Sequence, residues 1–97
     1  MSDTEVVDTV AWARGGAGSV ESARDIHVSV WSTVAYPPGA PAEGTLTGPA
    51  SEALRFTLKV TGSRLRGDRW VVAGRLISAS AALKLAFAAQ VAPRAPA

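Results

Sequence analysis

Residues 54–61 alternate strictly between apolar and polar side chains, and this pattern constrains the fold more than any other feature of the chain. The apolar members, which would point to one side of a strand, are Leu54, Phe56, Leu58 and Val60. Polar neighbours on the other side indicate an antiparallel strand with one solvated face. Leu65-Arg66-Gly67-Asp68 follows as a hairpin turn, since Gly67 can adopt a positive φ, and residues 70–77 return as the partner strand.

Other segments also favour strands. Residues 26–30 alternate in the same way, the proline-rich loop at residues 37–41 must end that strand, and residues 42–47 form a short strand after it. Residues 5–12 are a plausible first strand, and residues 15–18 a flexible glycine loop. The positions predicted to build the core are Ile26, Val28, Val30, Phe56, Leu58, Val60, Trp70, Val72 and Leu76.

Residues 79–91 are rich in alanine, the strongest helix former, and Ser78 or Ser80 could cap a helix there. A helix would place Leu83, Phe87 and Val91 near one face. The alternative is a strand, in which Leu83, Leu85 and Phe87 would point inward together. We expect the helix.

A chain of 97 residues with 47% hydrophobic and 19% charged residues can bury one modest core. We therefore predict a mostly β fold, a small antiparallel sheet or partial β-barrel with a short C-terminal α-helix. One domain would cover residues 1–91, with residues 92–97 as a flexible tail. The N-terminus lacks the pattern of a signal peptide and no stretch reaches the ~20 apolar residues of a membrane span, so we expect a cytoplasmic protein.

Catalytic and metal chemistry find little support in the sequence. The chain has no cysteine, which excludes thiolate metal sites and cysteine nucleophiles. It has a single histidine. Asp25 and His27 are two residues apart on a predicted strand, so we expect their side chains to share a face, but no motif around them completes a hydrolase relay. We therefore expect a protein that is not an enzyme and needs no cofactor.

Basic residues accumulate in the second half of the chain, where eight of the ten lysines and arginines lie. The cations on the predicted hairpin and the strand before it could form a basic face; they are Arg55, Lys59, Arg64, Arg66, Arg69 and Arg75. Such a face could attract an anion. Few aromatic residues interleave with these cations, so we do not expect nucleic acid as the partner.

Three segments in order resemble the second half of PilZ domains. They are the proline-glycine segment at residues 37–46, the strand from Leu54 to Val60, and the stretch Gly67-Asp68-Arg69-Trp70-Val71-Val72. The resemblance covers about residues 8–91 and implies a barrel that ends in a helix. PilZ domains recognise cyclic di-guanylate through an RxxxR arginine pair and a D/N-x-S-x-x-G motif.

The arginine pair is absent here, because no arginine precedes Arg14. The second motif is degenerate, with Asp8 as its acidic residue and with Gly15 and Gly16 displaced from the expected glycine. By resemblance, Asp8, Arg14, Gly15 and Gly16 are the candidate ligand residues. We expect weak binding of cyclic di-guanylate or none, and an action through a protein partner or a second copy of the chain.

A second resemblance leads to another class of protein. Four segments in order look like parts of YceI-like polyisoprenoid-binding barrels. They are Ala23-Arg24-Asp25-Ile26-His27, Tyr36-Pro37, Phe56, and residues 67–76, which follow a G-D-x-W-x-V-x-G-x-L pattern. Those barrels are much longer than this chain, so a small lipid-binding barrel is the alternative. A structural protein of a phage or assembly is a third hypothesis, and no motif tests it.

Overall fold

A computed structural model of the chain describes residues 8–91, which form a closed barrel of six antiparallel strands followed by one helix. The elements are β1 (Val10–Trp12), β2 (Ala17–Arg24), β3 (His27–Ser32), β4 (Pro41–Thr47), β5 (Ala53–Arg66), β6 (Arg69–Leu76) and α1 (Ala81–Ala89). The predicted fold class is confirmed, and the barrel is closed rather than partial. The proposed tail at residues 92–97 lies outside the described residues.

Around the barrel the strand order is β1-β2-β3-β6-β5-β4, and β1 pairs with β4 to close the ring. The closing register joins Val10 to Leu46 and Trp12 to Gly44. Gly44 allows this approach, because a Cβ there would lie 2.8 Å from the carbonyl oxygen of Ala11. Strands β3 and β6 are therefore hydrogen-bonded to neighbours on both sides.

The β5–β6 hairpin forms as the alternating pattern predicts, but its turn is only Gly67-Asp68, because Leu65 and Arg66 belong to β5. Arg66 pairs with Arg69 across the turn, and Gly67 has a φ of 68°. A β-bulge shifts the register between Val60 and Gly62, and a second bulge lies in β2 between Val20 and Ser22. Each bulge adds one residue to its strand and bends the wall of the barrel.

Apolar side chains fill the barrel interior. Seven of the nine predicted core residues are buried, whereas Ile26 and Trp70 are half-buried and pack against the core. Edge-to-face contacts join Trp12 to Tyr36 and Phe56, with ring centroids 5.1 and 5.8 Å apart. The indole Nε1 of Trp12 donates to the hydroxyl of Ser32 over 2.9 Å, which satisfies this buried polar atom.

The C-terminal segment is helical over Ala81–Ala89, as expected, and not a strand. Ser80 is the N-cap, because its hydroxyl accepts a hydrogen bond from the amide of Leu83 over 3.1 Å. Leu83 and Phe87 are buried, and Phe87 meets the ring of Phe56 at 5.1 Å. The helix therefore contributes to the core.

Two predictions about the first third of the chain are only partly correct. The glycine loop is shorter than expected, because β2 begins at Ala17 and Gly18 lies within it, packed so closely on Trp31 that a Cβ would clash with its carbonyl oxygen. The first strand covers only Val10–Trp12, while Asp8 and Thr9 are not in a strand and residues 5–7 lie outside the described range. Strand β2 itself was not predicted, because small residues and a bulge interrupt its alternation.

Candidate functional site

The four candidate ligand residues do not form one cluster. Gly15 and Gly16 shape the β1–β2 turn, with φ of 108° and 101°, and Arg14 lies exposed beside them. Asp8 lies at the opposite end of β1, before its first residue, where its carboxylate accepts from the guanidinium of Arg69 over 3.2 Å. The structure therefore does not bring the degenerate motif together as a single site.

The candidate basic face is divided by the register of the hairpin. Arg64 and Arg66 lie near the turn, whereas Lys59 and Arg75 face each other farther along β5 and β6. Arg69 is half-buried and its charge is compensated by Asp8. Arg55 is exposed opposite Thr45 of β4, away from the other cations.

A row of basic side chains crosses four neighbouring strands on the outer surface. Arg24 of β2 pairs with His27 of β3, His27 with Arg75 of β6, and Arg75 with Lys59 of β5. All four residues are exposed, and paired residues of neighbouring strands point to the same side of a sheet. We call Arg24, His27, Arg75 and Lys59 the basic row.

The basic row is electrostatically unfavourable for the isolated protein. Like charges directly opposite each other in a sheet are destabilising, and Lys59 faces Arg75 in this way. Among residues 8–91 the structure contains two ion pairs, Arg69–Asp8 and Lys84–Asp25, and neither includes a member of the row. The row therefore presents positive charge that an external anion could balance.

Sequence reasoning missed that Arg24 and His27 belong with Lys59 and Arg75. The alternation of residues 26–30 does place His27 on the solvated side of β3. Arg24 could be added only by recognising β2 and the tight turn at Asp25 and Ile26. The register between β3 and β6, which joins the two halves of the row, has no signature in the sequence.

The prediction that Asp25 and His27 share a face of one strand is wrong. Asp25 is not on a strand with His27 but in the turn before β3, in the left-handed region at a φ of 56°. Its carboxylate lies 3.2 Å from the Nζ of Lys84 on α1. The aspartate therefore links the β2–β3 turn to the helix and does not orient the imidazole.

Tyr36 is a buried titratable residue. Burial raises the pKa of the Tyr36 hydroxyl above its ordinary value, and the nearby positive charge of Arg14 partly opposes this shift. Within residues 8–91 no group of three or more His, Asp or Glu side chains is arranged to hold a metal ion. In the same range no helix is long and apolar enough to cross a membrane.

Comparison of the chain with models of protein families, with curated proteins and with solved structures finds no match. The basic row is therefore the candidate site on physical grounds alone.

Proposed function

We propose that this chain is a non-catalytic, cytoplasmic binding module that acts through a protein partner, and that the basic row contacts an acidic surface of that partner. The observation that carries the proposal is the alignment of Arg24, His27, Arg75 and Lys59 across four strands. The repulsion between Lys59 and Arg75, which face each other, opposes stability, so a role in binding explains this arrangement better than a role in folding. A second copy of the chain would present the same positive row, which disfavours self-association through this surface.

A filled interior supports binding on the outside of the barrel. Among the side chains that are essentially inaccessible to solvent are Leu46, Leu58, Val72 and Phe87. Small barrels of this kind are filled by side chains, and larger barrels are needed to enclose a ligand. This observation favours the binding module over an isoprenoid-binding barrel.

The PilZ resemblance remains the best family hypothesis for the module. The order of a proline-glycine loop, a hairpin and a C-terminal helix agrees with what that resemblance implies. The absence of the arginine pair, together with the separation of Asp8 from Arg14, Gly15 and Gly16, argues against recognition of cyclic di-guanylate. We therefore propose a PilZ-like regulatory module that has no nucleotide ligand.

Two NMR titrations of the full chain test this proposal. Cyclic di-guanylate should leave the amide shifts unchanged, whereas an oligoglutamate peptide should shift the amides of the basic row and lose this effect at high salt. A Lys59→Gln/Arg75→Gln variant should lose the response to oligoglutamate. Arg55→Gln, which removes an exposed cation outside the row, is the matched control and should keep it.

Three results would contradict the proposal. Tight binding of cyclic di-guanylate that disappears in Asp8→Ala or Arg14→Ala would identify a nucleotide sensor. Hydrolysis of an ester or phosphoester panel that disappears in His27→Ala would identify an enzyme. An oligoglutamate response that is equal in the row variant and the control would exclude the row as the contact surface.

A further inference from the structure

Beside the basic row, the outer surface of the sheet forms a shallow trough. The next row toward the hairpin turn consists of small residues, Ser22, Ser29, Ala73 and Gly62, on the same four strands. Two depressions, of about 530 and 310 Å³, lie along this row and share Ser29, Thr61 and Ala73. The floor of the trough therefore lies lower than the long side chains on both sides.

Both β-bulges lie at this row. The extra residues are Glu21 on β2 and Thr61 on β5, at the two ends of the row of small side chains. The hydroxyl of Thr61 donates to the carbonyl of Ala73 over 3.2 Å, which ties the second bulge to β6. Bulges bend a strand and change the direction of its side chains, so these two shape the ends of the trough.

The far wall of the trough is partly apolar. Trp31 of β3 pairs with Val71 of β6, and Val71 is only 8% exposed although it faces outward. The guanidinium of Arg66 lies 5.7 Å from the centre of the Trp31 ring, within the range of a cation–π contact. Tryptophan and arginine are the residues that most often anchor protein interfaces.

The backbone beneath the trough is not available to an added strand. Because β3 and β6 are paired on both sides, no free edge of these strands faces a partner. A segment that desolvates its backbone here must satisfy its own hydrogen bonds, and an α-helix does this within one segment. The two walls are separated by roughly 13 Å, because Val71 and Arg75 lie four residue steps apart on β6. A helix with its side chains is about 10–12 Å wide.

We infer that the trough is the docking site for an acidic amphipathic α-helix of the partner protein. This inference rests on the proposed function and specifies the partner's contact element. The helix lies along the small-residue row, with its carboxylates toward the basic row and its apolar side chains toward Trp31.

Three synthetic peptides test the inference against the full chain. The first is an alanine-based helix of about four turns, with glutamates at i, i+4, i+7 and i+11 and leucines on the adjacent face. The second has the same composition in scrambled order, and the third carries a central proline that breaks the helix. The first should bind at least about tenfold more tightly than the other two, and it should shift the amides of Ser29, Ala73 and Gly62.

Two substitutions distinguish the contribution of the trough to peptide binding from the contribution of the basic row. Ala73→Gln places a longer side chain on the floor of the trough. It should weaken binding of the helical peptide and leave the response to oligoglutamate intact. Thr57→Gln, which changes an outward residue of β5 outside the trough, is its control. Trp31→Ala should weaken the affinity for the helical peptide about tenfold. Because Trp31 lies opposite the buried Val71, the melting temperature of the Trp31→Ala variant must be compared with that of the parent chain. Trp31→Phe, which keeps an aromatic ring, should recover part of the affinity.

The failure of this inference is distinguishable from failure of the proposed function. Equal binding of the ordered and scrambled peptides at the basic row would refute a helix site and leave an acidic partner in place. Tighter binding of a single-stranded oligonucleotide than of the helical peptide, at equal ionic strength, would overturn both. Unchanged affinity in both Ala73→Gln and Trp31→Ala would exclude the trough.

Discussion

The inner and outer faces of β3, β5 and β6 are made by the same strands and have opposite physical characters. Toward the interior these strands present Val30, Leu58 and Val72, which are completely buried. Toward solvent they present the basic row, where like charges lie opposite each other. The inner face lowers the free energy of the folded chain, whereas the facing cations Lys59 and Arg75 of the outer face oppose it.

The largest effect that would test this contrast is expected on the inner side, at Phe87. Phe87→Ala should destabilise the protein by about 3–5 kcal/mol, because it removes a fully buried ring and its contact with Phe56. Leu85→Ala is the matched control on the same helix, since Leu85 is 70% exposed and should change the free energy of unfolding by less than about 0.5 kcal/mol. Chemical denaturation measures both, and equal effects would mean that the buried face of α1 is wrongly assigned.

A second test concerns the polar group buried inside the barrel. The Ser32 hydroxyl accepts from Trp12 Nε1 and from the Val34 amide, and donates to the Val34 carbonyl. Ser32→Ala leaves these groups unpaired and should cost about 1–3 kcal/mol. Ser29→Ala, on the outward side of β3, should cost less than about 0.5 kcal/mol. If thermal melts show the two variants to be alike, the Trp12–Ser32 hydrogen bond does not stabilise the core.

A third test of the buried interior uses the stability of the protein at high pH, which should depend on Tyr36. The folded pKa of this tyrosine, the only one in the chain, is raised by burial, so folding favours the neutral phenol. The unfolded chain loses its phenolic proton first, and stability should therefore fall as the pH rises above about 10, the pKa of a free tyrosine. Spectroscopic titration should give a midpoint above that value, and Arg14→Gln should raise it further. A midpoint at or below that of free tyrosine would contradict the buried environment.

The smallest effect on stability is expected from the outer face. Lys59→Gln and Arg75→Gln remove one member each of a like-charge pair and should leave the free energy of unfolding unchanged or raise it by up to about 0.5 kcal/mol. Denaturation of each variant beside the parent chain measures this. A clear loss of stability in either variant would show that the basic row supports the fold, and the contrast between the two faces would fail.

Most of the inward-facing residues can be predicted from the sequence, but the residues of the outer site mostly cannot. Alternation identifies which side chains of β5 and β6 point inward, because that property depends only on local periodicity. The helix at Ala81–Ala89 follows from alanine content and the Ser80 cap, which are also local. Strand β2 escapes prediction because Gly18 and Ala23 weaken its alternation and a bulge interrupts it. The basic row depends on the pairing of β3 with β6, a long-range register that no local pattern encodes.

Closure of the ring also has a consequence for the order in which the chain folds. The β5–β6 hairpin joins neighbours in the sequence, whereas Val10 must find Leu46 and Val30 must find Val72. Long-range pairings slow folding, because the entropy of loop closure is lost before contacts form. The hairpin should therefore form early and β1 should dock last, which leaves the edges of β2 and β4 open to association with other chains in the meantime. Folding kinetics of Val72→Ala and Val10→Ala test this order: the first should slow folding and the second should mainly accelerate unfolding.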